Sequence, residues 1–106
     1  MIKASFEKQN GFFTKIEVSG HSGYAESGKD IVCSAVSSVL WCTTNSLTSL
    51  LNIPLDIKEN DGLVSYIIPQ TEPDTAEKAN LFIEGMLRFF KELQKQYGDY
   101  IQILEV

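Results

Sequence analysis

A histidine and a cysteine lie twelve residues apart in a glycine-containing stretch of the chain. The stretch GHSGYAESGKDIVC, residues 20–33, contains His21, the only histidine, and Cys33, one of two cysteines. An imidazole beside a thiol can hold it as a thiolate–imidazolium ion pair and later return the proton to a leaving amine. These two residue types therefore predict nucleophilic acyl transfer, with Cys33 as the nucleophile and His21 as the general acid–base.

An aspartate three residues before the cysteine indicates where the following helix begins. Asp30 is a favourable N-cap, because its carboxylate can accept hydrogen bonds from N–H groups two or three residues ahead. Cys33 then lies in the first turn, where unpaired N–H groups and the positive end of the helix dipole stabilise a thiolate. The same N–H groups are suited to hold the oxyanion formed during acyl transfer.

Three glycines, Gly20, Gly23 and Gly28, punctuate the stretch that contains the histidine and the cysteine. Glycine adopts positive φ readily, so this stretch can fold His21 towards Cys33 and can change conformation. A flexible glycine-containing loop beside a nucleophile is typical of a lid over bound substrate. Each residue also has an ordinary structural role: the glycines in turns, the aspartate as a cap, the cysteine in packing and the histidine in solvent. Spacing alone leaves both interpretations open.

The second cysteine favours neither a disulfide nor a metal site. Cys42 would lie about 13 Å from Cys33 along one helix, whereas a disulfide needs Cα atoms within about 7 Å. The two thiols would also face opposite sides of that helix, which excludes a tetrahedral zinc site with the single histidine. We expect no metal and no other cofactor. Cys42 is interpreted as a core residue, and Trp41 as a core or interface residue.

Composition and charge exclude several classes of protein. The 106 residues are 43% hydrophobic, which is enough for one core, so we predict a single domain over residues 1–106. The sequence contains no run of about 18 apolar residues that would predict a membrane span, and no signal-peptide pattern. The cytoplasm is therefore the expected location. The net charge is −5, and no basic stripe indicates direct binding to nucleic acid.

Five segments have the alternation or composition of strands, and two turn signals join four of them in pairs. Asn10-Gly11 is a strong hairpin signal because both residues tolerate positive φ, and Asn60-Asp61-Gly62 marks a second hairpin. The predicted strands cover residues 2–7, 12–19, 55–59, 63–69 and 100–106. Alternation in the second strand predicts one face formed by Phe12, Thr14, Ile16 and Val18.

Two apolar-rich segments, residues 31–52 and 74–97, show helical recurrence. Asp74 and Glu77 have the spacing of a capping box at the start of the second helix. Its predicted apolar face consists of Ala79, Phe82, Ile83, Met86, Phe90, Leu93 and Tyr97, whereas Leu81 and Phe89 lie outside it and fit either a dimer surface or two-sided burial. The order β-β-α-β-β-α-β predicts an α+β fold, a mostly antiparallel sheet with two long helices packed on it.

The segment GHSGYAESGKDIVCSAVSSVL, residues 20–40, resembles the ribosomal-processing cysteine proteases, the Prp family, in its G-H…G-x-D-I-V-C-x-A-V-S pattern. The length and element order are similar too, so the resemblance covers the whole chain. It implies a bacterial cytoplasmic endopeptidase, a homodimer that removes the N-terminal extension of a large-subunit ribosomal protein precursor. By matching positions, His21 is the catalytic histidine and Cys33 the nucleophile. Asp30 and Ser37 match further motif positions and are candidates for supporting roles.

Two other classes of function compete with a protease. A noncatalytic ribosome-assembly or adaptor protein fits the size and location equally well but needs no reactive thiol, so the substitution Cys33→Ser separates the two. A redox-sensing thiol protein is disfavoured because no resolving cysteine lies within reach of Cys33. The sequence identifies no third group that orients His21, which favours a Cys–His dyad with Asp30 as a candidate helper.

Overall fold

A five-stranded sheet carrying two helices makes up the chain in a computed structural model, which describes residues 1–21, 23–26 and 29–106. Gly28, one of the predicted loop glycines, lies outside the described residues, as do Ser22 and Ser27. The strands are β1 (Ile2–Gln9), β2 (Phe12–Ser19), β3 (Lys58–Asn60), β4 (Leu63–Ile67) and β5 (Ile101–Glu105), and the helices are α1 (Ile31–Asn45) and α2 (Pro73–Gln96), with a π-helical turn, Ser46–Leu50, after α1.

The sheet has the strand order β3-β4-β2-β1-β5. Three of its four pairings are antiparallel, and only β1 and β5 run parallel. The predicted α+β fold with a mostly antiparallel sheet and two helices is therefore confirmed. β3 begins at Lys58 rather than residue 55, because only its three residues pair with β4.

The β1–β2 hairpin has the predicted turn but a different buried face. Asn10 and Gly11 both have positive φ, 56° and 84°, as a two-residue hairpin turn requires. Glu7 pairs with Lys15 and Lys8 with Phe13, so the residue between them in β2 is an extra, bulged one.

The bulge reverses the alternation at the beginning of β2. Phe13 is buried and Phe12 is 38% exposed, so the predicted placement of Phe12 on one face with Ile16 and Val18 is wrong. Phe13 instead packs edge-on against Phe6, with ring centroids 6.0 Å apart, and Phe6 packs in the same way against Phe90 of α2 at 6.1 Å. The bulge thus brings an aromatic side chain into the centre of the core.

The helix predicted over residues 31–52 is regular only as far as Asn45. Hydroxyl groups bond back to the carbonyls of the preceding turn: Thr44 Oγ1 donates to the Leu40 carbonyl at 2.7 Å, and Ser46 Oγ donates to the Cys42 carbonyl at 2.9 Å. Such bonds compete with the backbone pattern and loosen a helix, and the wider π-helical turn follows directly.

The combined helix Ile31–Leu50 is long and apolar enough to cross a membrane by length and composition alone. In this fold it packs on the sheet through a buried face formed by Val32, Val36, Leu40, Thr43 and Thr44. Core helices of globular domains meet the same two criteria, and 33% of the 18-residue window of this helix is buried.

α2 begins at Pro73, one residue before the predicted range 74–97, and its N-cap lies two residues before Asp74, which the capping-box spacing predicts. Its N-cap is Glu72 and Pro73 is the first helical residue, a position where proline fixes a helical φ and loses no hydrogen bond. Asp74 is therefore not the N-cap, and it pairs instead with Lys78 at 3.1 Å. The predicted apolar face is otherwise confirmed, except that Phe82 is 38% exposed and Tyr97 only partly buried, while Leu87 is buried in the core.

One polar pair lies in the core between α1 and the sheet. The hydroxyl groups of Thr44 and Tyr66 are 3.0 Å apart, and both residues are buried. Burial raises the pKa of the Tyr66 phenol, an effect that the hydrogen bond to Thr44 partly offsets. The neutral phenol is thus favoured where β4 meets the helix.

Candidate active site

A cleft of about 550 Å³ opens at one end of the sheet, between α1 and the β3–β4 hairpin. Three of the four predicted catalytic and supporting residues line it: His21, Cys33 and Ser37. His21 follows the end of β2, Cys33 lies in the first turn of α1, and Ser37 lies four residues further along that helix. The fold thus brings the predicted nucleophile and the predicted acid–base residue to one cavity.

Asp30 fixes the start of the helix that carries Cys33. It has extended backbone angles, φ −82° and ψ 102°, and its Oδ1 accepts a hydrogen bond from the Cys33 backbone N–H at 2.9 Å. Its Oδ2 accepts from the Ala25 N–H at 3.4 Å, and the residue is only 7% exposed. The predicted N-cap is confirmed, and the same carboxylate also ties the preceding loop to the helix.

The capping interaction engages donors that the sequence suggested for an oxyanion. The N–H of Cys33 donates to the Asp30 side chain, and the N–H of Ser34 donates to the Asp30 carbonyl at 3.0 Å. These two first-turn groups are therefore occupied in this structure. The α1 terminus still offers the positive end of its dipole to the cleft.

The two cysteines have different surroundings. Cys33 is partly buried and packs against the core, whereas Cys42 is exposed. The interpretation of Cys42 as a core residue is wrong, because it follows buried Leu40 by two residues, about 200° around the helix. Both cysteines are thiols rather than a disulfide, as predicted. Trp41 is partly buried and forms part of the cleft wall.

Two of the predicted loop glycines have the backbone conformation that favours glycine. Gly20 has φ +88° and Gly23 has φ +73°. A Cβ at Gly20 would overlap the carbonyl oxygen of Met1, so the backbone before His21 passes directly against the beginning of β1. The glycine at position 20 is required by both conformation and space.

The β3–β4 turn packs against His21. Gly62 accepts a hydrogen bond from the Gly20 N–H at 2.7 Å, and a Cβ at Gly62 would lie 3.1 Å from the His21 Nε2. The Asp61 Oδ1 lies 3.9 Å from the same ring nitrogen. In the sequence Asn60-Asp61-Gly62 is only a hairpin signal, and no local pattern links it to a histidine about forty residues away.

An aromatic cluster holds the loop that follows His21. The ring of Tyr24 packs edge-on against Tyr97 and Tyr100, with centroids 5.6 and 5.2 Å away. These two residues lie at the end of α2 and just before β5. The loop is thus tied at Tyr24 to the far end of α2 and at Asp30 to the start of α1.

No group of three or more histidine, cysteine, aspartate or glutamate residues could hold a metal ion within residues 1–21, 23–26 and 29–106. The chemistry available in the cleft is that of a thiol at a helix N-terminus, an imidazole and two carboxylates, Glu59 and Asp61. A thiol and an imidazole in one cleft can carry out covalent acyl transfer.

Comparisons with known proteins agree with this geometry. The family model described as cysteine protease Prp matches residues 1–102. The ribosomal processing cysteine protease Prp of Bacillus subtilis is 30% identical over 107 aligned positions, covering 97% of this chain and 96% of that protein. The S. aureus essential ribosomal processing protease Prp, in complex with a covalently linked product peptide, superimposes with a TM-score of 0.90 at 27% identity over 100% of both chains. The S. aureus protease with a substrate peptide has the same fold, with a TM-score of 0.83 at 23% identity over 100% of both chains.

Proposed function

We propose that this chain, which belongs to the cysteine protease Prp family, cleaves peptide bonds with Cys33 as the nucleophile and His21 as the general acid–base. The observation that carries this assignment is that both side chains line one cleft, with Cys33 at the capped N-terminus of α1. A helix N-terminus stabilises a thiolate, and an adjacent imidazole can accept its proton.

The reaction proceeds through an acyl-enzyme. The Cys33 proton moves to His21, and the thiolate attacks the scissile carbonyl carbon to form a tetrahedral oxyanion, which the positive end of the α1 dipole favours. His21 then protonates the leaving amine as the carbon–nitrogen bond breaks. The neutral imidazole next takes a proton from water, which attacks the thioester and releases the acid and the thiol.

The proposed substrate is the N-terminal extension of a large-subunit ribosomal protein precursor, cleaved in the cytoplasm. The relatives' description as ribosomal processing proteases and the peptides bound in two S. aureus structures support it. The cleft also suits an extended peptide: α1 contributes the apolar Val36, Leu40 and Trp41, and the opposite hairpin contributes Glu59 and Asp61. An apolar wall facing a few polar groups is typical of a ligand cleft.

Incubation with the host's ribosomal precursor tests this proposal. The intact masses should show one N-terminal cut with the wild-type protein and none with His21→Ala, because the thiol then lacks its proton acceptor. A precursor lacking its extension serves as the substrate control. If folded wild-type protein makes no cut under reducing conditions in a precursor that bears the extension, the noncatalytic adaptor is the better account.

We also propose that the protease is a homodimer that uses the outer face of α2. Leu81 is 74% exposed and Phe89 38% exposed, and both share a helical stripe with exposed Gly85. Glycine inside a helix is destabilising relative to alanine, and at this position it would allow two helices to approach closely. A second copy placed about a two-fold axis would cover this apolar stripe.

Light scattering after size exclusion should give a dimer mass for the wild-type chain and a monomer mass for Leu81→Asp, because a charge in an apolar contact is strongly unfavourable. Ile67, which is 66% exposed on β4, provides the matched control, and Ile67→Asp should remain dimeric. A dimer that survives Leu81→Asp would contradict the assigned surface.

A further inference from the structure

We propose that the β3–β4 turn, residues Asp61 and Gly62, positions His21 for catalysis, with Asp61 acting as the carboxylate partner of its imidazole. This inference rests on the proposed function, since it concerns how the acid–base residue of that reaction is held. The sequence suggested no third group, or Asp30 as a helper. In the structure Asp30 is instead hydrogen-bonded to the Cys33 and Ala25 amides.

The backbone contact is the first of three observations. The Gly20 N–H donates to the Gly62 carbonyl at 2.7 Å, a short hydrogen bond that joins the turn to the residue before His21. The conformation of Gly20, φ +88°, then sets the direction in which the chain leaves β2. The turn therefore fixes the backbone that carries the imidazole.

The shape of the turn is the second observation. Gly62 has φ +73°, and a Cβ there would lie only 3.1 Å from the His21 Nε2. The His21 imidazole thus packs against the Gly62 backbone, and a side chain at position 62 would compete with it for the same space. The imidazole is 70% exposed, and the Gly62 backbone lies against its Nε2 edge.

The third observation is electrostatic. Asp61 Oδ1 lies 3.9 Å from the His21 Nε2, within ion-pair range but longer than a hydrogen bond. Catalytic hydrogen bonds are often long in the absence of substrate and shorten when it binds. A carboxylate facing Nε2 favours a proton on that nitrogen and leaves Nδ1 as the acceptor for the Cys33 proton. It also attracts the imidazolium that this transfer creates.

The other ionisable groups of the cleft differ from Asp61 in position. Cys33 from α1 and Glu59 from β3 also line the cavity, but among the described residues only Asp61 has a carboxylate within ion-pair distance of His21. Asp61 itself is fully exposed and makes no other ion pair there. Its carboxylate can therefore follow the imidazole as substrate enters.

The substitution Asp61→Asn tests the proposal, with Asp56→Asn as a matched control. Asp56 is an exposed acid shortly before β3 and does not line the cleft. We expect Asp61→Asn to lower kcat by about fivefold with little change in KM, because the ion pair forms during the reaction rather than on binding. Asp56→Asn, which removes the same charge, should behave as the wild-type enzyme.

Alkylation of Cys33 by iodoacetamide supplies a readout independent of peptide cleavage, in a Cys42→Ser background that removes the exposed second thiol. At about pH 6 a cysteine thiol is mostly protonated and its alkylation depends on a neighbouring base, whereas at about pH 9 an ordinary thiol needs no such help. His21→Ala should slow alkylation strongly at the lower pH, and Asp61→Asn should slow it several-fold. All variants should approach the wild-type rate at the higher pH.

The outcomes separate this inference from the function on which it rests. If His21→Ala slows alkylation and abolishes cleavage while Asp61→Asn changes neither kcat nor alkylation, the positioning role is overturned and the Cys–His mechanism stands. An effect of Asp61→Asn on KM alone would overturn it too, because the carboxylate would then bind substrate. Cleavage by His21→Ala at the wild-type rate would overturn the proposed function itself.

Discussion

Cys33→Ser should reduce peptide cleavage by about a thousandfold or more, because a serine hydroxyl in the same place is a far poorer nucleophile without a base suited to it. The fold should be retained. The Cys33 side chain is only partly buried, and its hydrogen bond to Asp30 comes from the backbone N–H, which serine keeps. Turnover of a precursor-derived peptide and the denaturation midpoint of the same preparation measure the two effects.

Cys42→Ser is the matched control for that experiment. This thiol lies on the same helix, but it is exposed and does not line the cleft. Its replacement should leave both turnover and stability close to wild type. Cleavage that persists in Cys33→Ser and disappears in Cys42→Ser would show that Cys42, and not Cys33, is the nucleophile.

Among glycine-to-alanine substitutions near the site, Gly20→Ala should cause the largest loss of stability and activity. The new Cβ would overlap the Met1 carbonyl oxygen, and the residue has φ +88°. Relief of the overlap must move backbone rather than a flexible side chain, which displaces His21 directly. We expect a loss of about 2 kcal/mol or more in the free energy of unfolding and a large fall in kcat, measured by urea denaturation and peptide turnover.

Gly11→Ala isolates the overlap from the conformational strain. Gly11 has nearly the same φ, +84°, but no atom lies within 4 Å of its Cβ position. It belongs to the β1–β2 turn at the end of the sheet away from the cleft. Its substitution should cost only about 1 kcal/mol and leave turnover unchanged. Equal losses of stability in the two variants would show that the Met1 contact is unimportant.

The features that sequence predicts well depend on neighbours in the chain. The N-cap at Asp30 and the positive φ of Asn10 and Gly11 involve residues no more than three positions apart. Local propensity and turn chemistry decide such features. The position of Cys33 in the first helical turn follows from the same local logic and is confirmed.

The errors arise where distant residues compete with the local pattern. The extra residue in β2 buries Phe13 beside Phe90 of α2, a contact that strand alternation cannot anticipate. The contact of His21 with Asp61 and Gly62 links the end of the β1–β2 hairpin to the turn of the β3–β4 hairpin, and it likewise has no local signature in the sequence. Helical periodicity predicted that Phe82 is buried, but α2 buries Leu87 instead. Which side of a helix is buried depends on the elements that pack against it.

The parallel pairing of β1 with β5 determines the order in which the protein can assemble during synthesis. Ile2 pairs with Ile101, and its N–H donates to the Tyr100 carbonyl at 2.9 Å. β5 is the last of these elements to leave the ribosome, and pairings so distant in sequence are slow to form. Until it arrives, β1 is paired with β2 on one side and has an unpaired edge on the other. The nascent chain therefore completes its sheet only when β5 is added, whereas the residues that line the cleft all precede that strand in the chain.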